Sequence, residues 1–433
     1  MIPNASGDMR QPRNLPPFIR RISPIGWLAI LFAVGFALRL AVTLFFSDYQ
    51  TLLFEYSLIA RNLINGKGFS WNDYGFMPLQ PTSLFPPLYV YFCAFFMFIS
   101  PHSFLPQYVA QALVAASGVI PAYLVGMKMF SRRVGWIFAA LYTFYPELVF
   151  VHSRPVPEFV YVVLCVWILY FYLLLLEKPA GLASAFRISL LLGVVGGVGL
   201  LTKEGTSVLL AAVMIAIALK KRPFLLSLRS HILPAVLVVI LCVAPWTVRN
   251  WVVQGRFIAL RTGLGMNLWI GNHPGATGTA RTVDEKYIRY ELPPDYATRF
   301  FSGLPDDEQE RDDYYKAEAM RFIRDDPTRY LNLCVKRLGY FLWFDPTHPL
   351  ARNTVYRLSY LLLLLFAIPG IVLALKSKRL DIVLPIMFAG FLALYVPVMI
   401  LPRYRIIPVV LMLLVAAYAV EFLWTKIKEV RPN

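Results

Sequence analysis

Charge is scarce in this chain. Only 15% of its 433 residues are Asp, Glu, Lys or Arg, where a soluble globular domain carries about 25%. That deficit excludes an ordinary soluble protein. Acids are the scarcer sign, 25 against 42 bases, which leaves a formal net charge of +17. Cysteine is scarce too. Cys93, Cys165, Cys242 and Cys334 are scattered, most of them within apolar runs. Their spacing excludes a zinc site and a disulfide framework. No 20–50-residue period repeats, which excludes a solenoid. No cleavable leader is evident. The first apolar run follows a polar, Pro-rich, basic arm (1–24) and is long enough to stay as an anchor.

What is present is apolar length. Hydrophobic residues make up 58% of the chain and the mean hydropathy is +0.59. Runs of about 18 or more apolar residues recur, each able to cross a ~30 Å hydrocarbon layer as a helix. The ~10-residue alternating segments of a membrane β-barrel are absent. The reading is an all-α polytopic membrane protein.

Ten spans are expected near 25–46, 104–126, 134–150, 157–176, 187–202, 205–219, 231–248, 355–375, 381–399 and 404–424. The basic clusters then all fall on one side, which the positive-inside rule makes cytoplasmic. They are the N-terminal arm, "KMFSRR" (128–133), Lys178 to Arg187, "KKRP" (220–223), "KSKR" (376–379) and "KIKEVR" (426–431). Topology thus accounts for the positive charge, and no nucleic-acid partner is expected. The stretch "SLFPPLYVYFCAFFMFI" (83–99) would break this pattern as a full span. It is expected to be a juxtamembrane or re-entrant helix on the outer side. Four regions follow: the arm 1–24, an N-terminal membrane module 25–248 containing the first outer loop 47–103, a large outer loop 249–354, and C-terminal spans with a short tail 355–433. Within the large loop, "DDEQERDDYYKAEAMRFIRDDP" reads as an exposed helix ended by Pro327. Tyr330 to Trp343 reads as an amphipathic helix at the membrane surface.

On this topology, ionisable groups collect at the outer boundary. They are Asp48 and Glu55; Glu147, His152, Arg154 and Glu158; Lys203 and Glu204; Arg249 with Asn250; and Arg403 and Arg405. Any one of these could snorkel or pair. As a set, with cations on the side where the topology rule disfavours them, they mark a site. Arg and Lys suit a phosphate. A lipid phosphate has its head at that depth. If it carries a sugar, the cations stabilise the charge that develops as the glycosidic bond breaks. A carboxylate takes the proton of the acceptor, and the anomeric carbon passes through an oxocarbenium-like state. "GNHPGATG" (271–278) follows no strand–helix unit and reads as a turn over the cavity rather than a phosphate loop. His152 and His273 lack paired ligand spacing. The glycines at 193–199 suit close helix packing.

These motifs resemble the polyprenyl-phosphate-sugar-dependent glycosyltransferases of the membrane GT-C superfamily. The likeness is nearest to family-39-type bacterial relatives of protein O-mannosyltransferases and of lipid A aminoarabinose transferases. It rests on "FEYSLIARNLINGKGFS" with "PTSLFPPLYVYF", on "HSRPVPEF", on "PWTVRNWVVQGRFIAL…GMNLWIGNHPGATG" and on "PRYRIIP", in that order. The resemblance implies a GT-C fold with about ten transmembrane helices, outer juxtamembrane helices and one larger outer loop. It implies Glu55 as catalytic base, with Asp48 as runner-up. Arg249, Asn250, Arg403 and Arg405 are implied donor-phosphate ligands. Lys203 is a weaker member, because "TKEG" departs from the family's usual Arg-Pro. Glu158 is the acid of the second loop, with Arg154 and His152 as neighbours. In some relatives that acid helps bind a divalent cation (Mg or Mn), so Glu158 is the one candidate ligand. Tyr56, Tyr89 and Asn272 would shape the pocket.

The expected activity is an inverting transfer of a hexose or pentose from a polyprenyl-phosphate donor to a lipid, glycan or protein acceptor. It would take place among membrane lipids, on the outer face of a bacterial cytoplasmic membrane. The alternative is a transporter or flippase for lipid-linked sugars, which needs no outer carboxylate. The paired halves common in transporters are not apparent in the sequence. An idle lipid-binding partner in an envelope complex would keep the cations and tolerate loss of both acids.

Overall fold

The computed structural model describes residues 23–49, 55–72, 78–177, 181–221, 223–281 and 294–430. The basic arm up to residue 22 and Lys178 lie outside the described residues. Among those described, seven helices are long and apolar enough to cross a membrane: Pro24–Phe46, Leu105–Met129, Glu158–Leu176, Leu182–Thr202, Phe224–Gln254, Thr354–Lys376 and Pro402–Glu429. An eighth span is broken, Arg132–Phe144 and Pro146–Ser153 meeting at 54°. The remaining two expected spans are shorter helices, Thr206–Lys220 (15 residues) and Val383–Tyr395 (13 residues). At 1.5 Å per residue these reach only about 20–23 Å, short of the ~30 Å apolar layer. At one end of each, the chain turns through Lys203–Gly205 or through residues 396–405, and these turns meet, the Lys203 ammonium lying 5.7 Å from the Tyr404 ring centre. The junction of the two turns, at the ends of the short helices, is termed the recess.

Pro87–Ile99 has 13 residues and begins after Pro86, as the juxtamembrane reading requires. It packs on the helix Glu55–Ile64, which is ended by Gly66 and Gly68 at φ 74° and 71°. Only glycine adopts such angles without strain. Ile59, Ala60, Tyr89, Val90 and Cys93 form the apolar seam between the two.

Helix approach elsewhere depends on glycine for another reason. A Cβ on Gly193 would lie 2.6 Å from Ala235 O, and one on Gly197 2.5 Å from Cys242 Cβ. The run of glycines lets Leu182–Thr202 and Leu233–Gln254 touch backbone to backbone, as small residues do in membranes.

The break in the eighth span has an identifiable cause. Pro146 has no N–H, so the Tyr142 carbonyl loses its helical donor. Arg39, buried within Pro24–Phe46, donates to Tyr142 O (3.5 Å), Thr143 O (3.3 Å) and Leu148 O (3.2 Å). A cation inside the apolar layer is thereby accounted for by three carbonyls that the kink exposes.

Outside the bundle, Glu308–Asp325 is the expected exposed helix, capped by Asp307, whose side chain accepts from Gln309 N and Glu310 N. Its Tyr315 and Ala319 pack with Trp269 and Phe300 in a small separate core. Pro327–Leu342 carries an exposed apolar stripe, Leu331, Val335, Leu338 and Leu342. That is the amphipathic pattern of a helix lying along a membrane surface.

Candidate active site

The recess holds a network of paired charges. Glu158 is the first residue of its helix and is fully enclosed, with 1% of its side chain exposed. Lys203, at the end of Leu182–Thr202, pairs with Glu158 Oε1. The Arg403 Nε lies 3.6 Å from the same oxygen. Next to Lys203, Glu204 Oε1 accepts from Arg261 Nη1 at 3.0 Å. Burial works against charge on Glu204, but Arg261 and Lys203 outweigh it and hold its carboxyl below the usual carboxylate range. Glu204 in turn holds the Arg261 guanidinium above its ordinary value against the cost of burial.

Aromatic rings wall the network. The Lys203 ammonium lies 5.9 Å from the Tyr161 ring centre and 5.7 Å from that of Tyr404. Tyr404 stacks on Tyr395 at 4.4 Å. The turn between the two charged pairs requires glycine at 205, because a Cβ there would lie 2.6 Å from the Tyr161 hydroxyl and 3.2 Å from that of Tyr395. Glu158 Oε2, the Tyr161 hydroxyl and Thr206 Oγ1 are buried without a hydrogen-bond partner. Buried polar atoms are seldom left so.

Glu55 and Tyr56 come to this network from the start of Glu55–Ile64. Tyr56 packs on Phe85 (4.7 Å) and Tyr89 (5.2 Å), and Glu158, Arg403, Glu204 and Arg261 act on its hydroxyl. Glu55 is half-buried and is among the charges acting on Arg403. Tyr89 is buried and donates to Gln111 Oε1 at 2.6 Å. So Glu55, Tyr56, Glu158, Lys203 and Arg403 belong to one constellation, with Tyr89 behind it.

The other sequence candidates lie elsewhere. Asp48 is exposed after Pro24–Phe46, and its carbonyl accepts from the Tyr108 hydroxyl at 3.4 Å. His152 is buried, its ring nitrogens on Val149 O, Arg39 O and Thr43 Oγ1. It fastens the first span to the broken one. Arg154 is exposed. Arg249 donates to Thr82 O (2.7 Å) and Phe69 O (3.1 Å), and lies over the Trp246 ring at 4.8 Å. Asn250 is buried and bonds Ile258 O, Leu260 O and the Ser83 hydroxyl. Arg405 is buried against Trp343 O and the Tyr356 hydroxyl, 4.0 Å above the Tyr360 ring. Asn272 is held between Arg337 Nη2 (2.6 Å) and Val398 O (3.2 Å). Glycine-rich 271–278 is thus pinned as a turn rather than left open as a phosphate cradle.

Beside the network, a groove of about 300 Å³ runs between Pro87–Ile99, Leu182–Thr202 and Leu233–Gln254. Leu88, Tyr91, Leu201, Cys242 and Trp246 line it, and Arg249 stands at one end. Leu201, on its wall, is two residues before Lys203 in the chain.

A divalent cation fits this donor set poorly. No three His, Cys, Asp or Glu side chains converge among the described residues. The carboxylate of Glu158 already faces Lys203 and Arg403, two positive charges that would repel a metal.

Arg261 is the cation that the sequence reading passed over. It belongs to no outer span end, and sits in "FIALRTG" within the large loop. Only folding brings it in. Trp246 Nε1 donates to Leu260 O (2.7 Å), and Thr262 Oγ1 to Glu308 Oε1 (2.8 Å), so Arg261 is fastened on both sides.

Comparison with known proteins agrees with this architecture. The oligosaccharyltransferase of Archaeoglobus fulgidus, solved with a tethered acceptor peptide, aligns at TM-score 0.57 with 14% identity over 94% of this chain and 50% of that one. This chain shares the fold of that part of the archaeal enzyme. The same archaeal enzyme, AglB, in complex with an inhibitory peptide and a dolichol-phosphate, aligns at TM-score 0.57 with 15% identity over 96% of this chain and 53% of that one. Its complex with Zn and sulfate aligns at 0.54 with 15% identity over 93% and 49%. This chain thus spans about half the length of those structures. The family model described as dolichyl-phosphate-mannose-protein mannosyltransferase matches residues 85–248. That stretch contains Glu158, Lys203 and Glu204. No curated protein matches.

Proposed function

We propose that this chain is an inverting glycosyltransferase that takes a sugar from a polyprenyl-phosphate donor on the outer face of a bacterial cytoplasmic membrane. One observation carries the reading. Glu55, a half-buried carboxylate, is among the charges that act on Arg403, the accessible cation of the charge network. The ion pairs join two acids, Glu158 and Glu204, to three cations, Lys203, Arg261 and Arg403, and Glu55 brings the acids to three. Arg403 keeps 45% of its side chain exposed, so it is the reachable cation. The dolichol-phosphate in the complex of the fold neighbour AglB and the mannosyltransferase family match support a lipid-phosphate donor.

The donor phosphate sits at Arg403 with Lys203 beneath it, and the apolar tail lies in the groove bordered by Leu201 and Trp246. The acceptor oxygen attacks the anomeric carbon. The bond from that carbon to the phosphate oxygen breaks, its electron pair stays on the phosphate, and the acceptor proton passes to Glu55. Arg249, Asn250 and Arg405 act as scaffold in this scheme, because most of their polar atoms already hold carbonyls and hydroxyls. Asp48 takes no part, since it lies on the exposed side of the first span. Either an aldohexose or a pentose donor is compatible with the scheme.

Purified protein in lipid nanodiscs, given labelled polyprenyl-phosphate sugars, tests the reading. Turnover with release of the lipid phosphate is expected. Glu55→Gln should lower it roughly 10²–10⁴-fold while the melting temperature stays unchanged. Transport of intact donor without cleavage would replace the enzyme reading with that of a flippase.

A further inference from the structure

The helical part of the large loop reaches the charge network through one carboxylate. Glu308 is the first residue of the helix Glu308–Asp325 and is buried. Its Oε1 accepts from Ser83 N at 2.8 Å, from Thr262 Oγ1 at 2.8 Å and from Gln254 Nε2 at 3.5 Å. Those donors come from the chain before Pro87–Ile99, from the segment that carries Arg261 and from the end of Leu233–Gln254. Thr262 N also donates to Ser83 O at 3.0 Å. Ser83 and Thr262 thus meet through their backbones, and the carboxylate closes the junction.

Arg261 stands between two anchors. Before it, Leu260 O accepts from Trp246 Nε1 (2.7 Å) and Asn250 Nδ2 (3.2 Å), and Ala259 O from Thr247 Oγ1 (2.7 Å). These donors hold residues 259–260 to the bundle. After it, Thr262 is held by Ser83 and by Glu308, from a helix that begins 46 residues later. Gly263 follows at φ 88°, an angle that glycine adopts without strain, and the chain turns into Leu264–Gly271. That helix lies against Glu308–Asp325. Met266 N donates to Asp312 Oδ1 at 2.9 Å, and a Cβ on Gly265 would overlap Asp312 O. A long side chain loses rotamer freedom when its tip is held, so a guanidinium keeps its place only on a fixed backbone. Without Glu308, residues 261–263 would be left between Leu260 and a glycine turn, and Arg261 would exchange Glu204 for water.

We propose that Glu308 is a positioning residue for the transfer reaction. Its carboxylate fixes Thr262 and so keeps the Arg261 guanidinium on Glu204, within the charge network. This rests on the glycosyl-transfer reading. Glu308 touches neither donor nor acceptor in that scheme. It acts through Arg261, and it makes the seat of that cation depend on how the helix Glu308–Asp325 is docked. The three donors to its oxygen are uncharged, so the seat needs an acceptor oxygen at that place rather than a negative charge.

The test reads Arg261 directly, with phenylglyoxal on the full chain in nanodiscs and mass spectrometry of the modified peptides. The reagent adds to guanidinium groups that open to water, so the rate at each arginine reports local opening. Arg261 is 17% exposed and should react slowly in the unsubstituted protein. In Glu308→Ala it should react roughly tenfold faster, the effect of losing one buried hydrogen-bond partner. Glu308→Gln keeps an acceptor oxygen and should leave the Arg261 rate near its original value. Thr262→Val removes the hydroxyl at similar shape and should also free Arg261, which serves if Glu308→Ala does not fold. Arg39, enclosed in the bundle, and the exposed Arg403 should keep their rates throughout. An Arg261 rate that neither Glu308→Ala nor Thr262→Val raises overturns the proposal. So does a parallel rise at Arg39, which marks general loosening.

Donor turnover is measured on the same samples. Glu308→Ala should lower it roughly 10–10²-fold, as misplacement of a charged group does, and should lower it no further when added to Arg261→Gln. An equal fall in both backgrounds makes Glu308 merely structural and overturns the positioning role. Absence of turnover in the unsubstituted protein removes the transferase reading instead, and the Arg261 rates still decide whether Glu308 holds that arginine.

Discussion

Two kinds of cation occur within the bundle and at its rim, and their partners tell them apart. Arg39 and Arg337 are almost wholly enclosed and bond to carbonyl oxygens. Arg337 reaches Val396 O at 3.0 Å and Pro397 O at 3.1 Å, besides Gly278 O and Asn272. Lys203, Arg261 and Arg403 bond to carboxylates at the rim of the recess. A carbonyl partner belongs to the backbone and fixes a kink or a loop. A carboxylate partner leaves a cation that an incoming anion can share. Depth in the membrane therefore does not by itself mark a functional charge. The chemistry of the partner decides.

The comparison breaks most readily at Arg39. Arg39→Met should orphan the carbonyls at the Pro146 kink and cost about 3–5 kcal/mol of stability, read as a large drop in melting temperature. Donor turnover per folded molecule should be unaffected. Lys203→Met is the opposite case. Turnover should fall roughly 10²–10³-fold, the loss typical of one charge-stabilising group, with a smaller effect on melting. If Lys203→Met unfolds the protein while sparing turnover, the division between scaffold and site cations is wrong.

Glu204 and Arg261 sharpen it further. Each single reversal, Glu204→Arg or Arg261→Glu, should depress turnover, and the double exchange should recover part of it. A coupling of about 1–3 kcal/mol is expected for groups in direct contact. Strict additivity would mean that the pair does not act together. The smallest effect belongs to the exposed Arg256–Asp313 pair, whose side chains are 54% and 63% exposed. Asp313→Asn should move neither melting nor turnover measurably, as for most surface ion pairs.

Much of this was legible from residues alone. Hydropathy and basic loops located the long spans. The Pro86–Pro87 pair of "FPPLY", with the short apolar run after it, located the juxtamembrane helix. Glu55, Glu158, Lys203 and Arg403 were legible because ionisable groups at span ends are rare and conspicuous. Arg405 and Asn250 looked equally conspicuous, yet they face carbonyls and rings. Arg261 was inconspicuous, because a loop arginine is ordinary until the fold carries it inward.

The sequence by itself determined that the chain crosses a membrane many times and that ionisable groups gather at the ends of its spans. These follow from transfer free energies summed along the chain, a local and additive property. Which gathered charges meet was decided only by tertiary structure. Pairing depends on distances of a few ångströms between segments up to hundreds of residues apart, set here by two short helices and a glycine turn. For "FEYSLIARN" the pattern announced an acid at the boundary. The packing of Tyr56 on Phe85 and Tyr89 fixes the helix that begins with that acid, within electrostatic reach of Arg403.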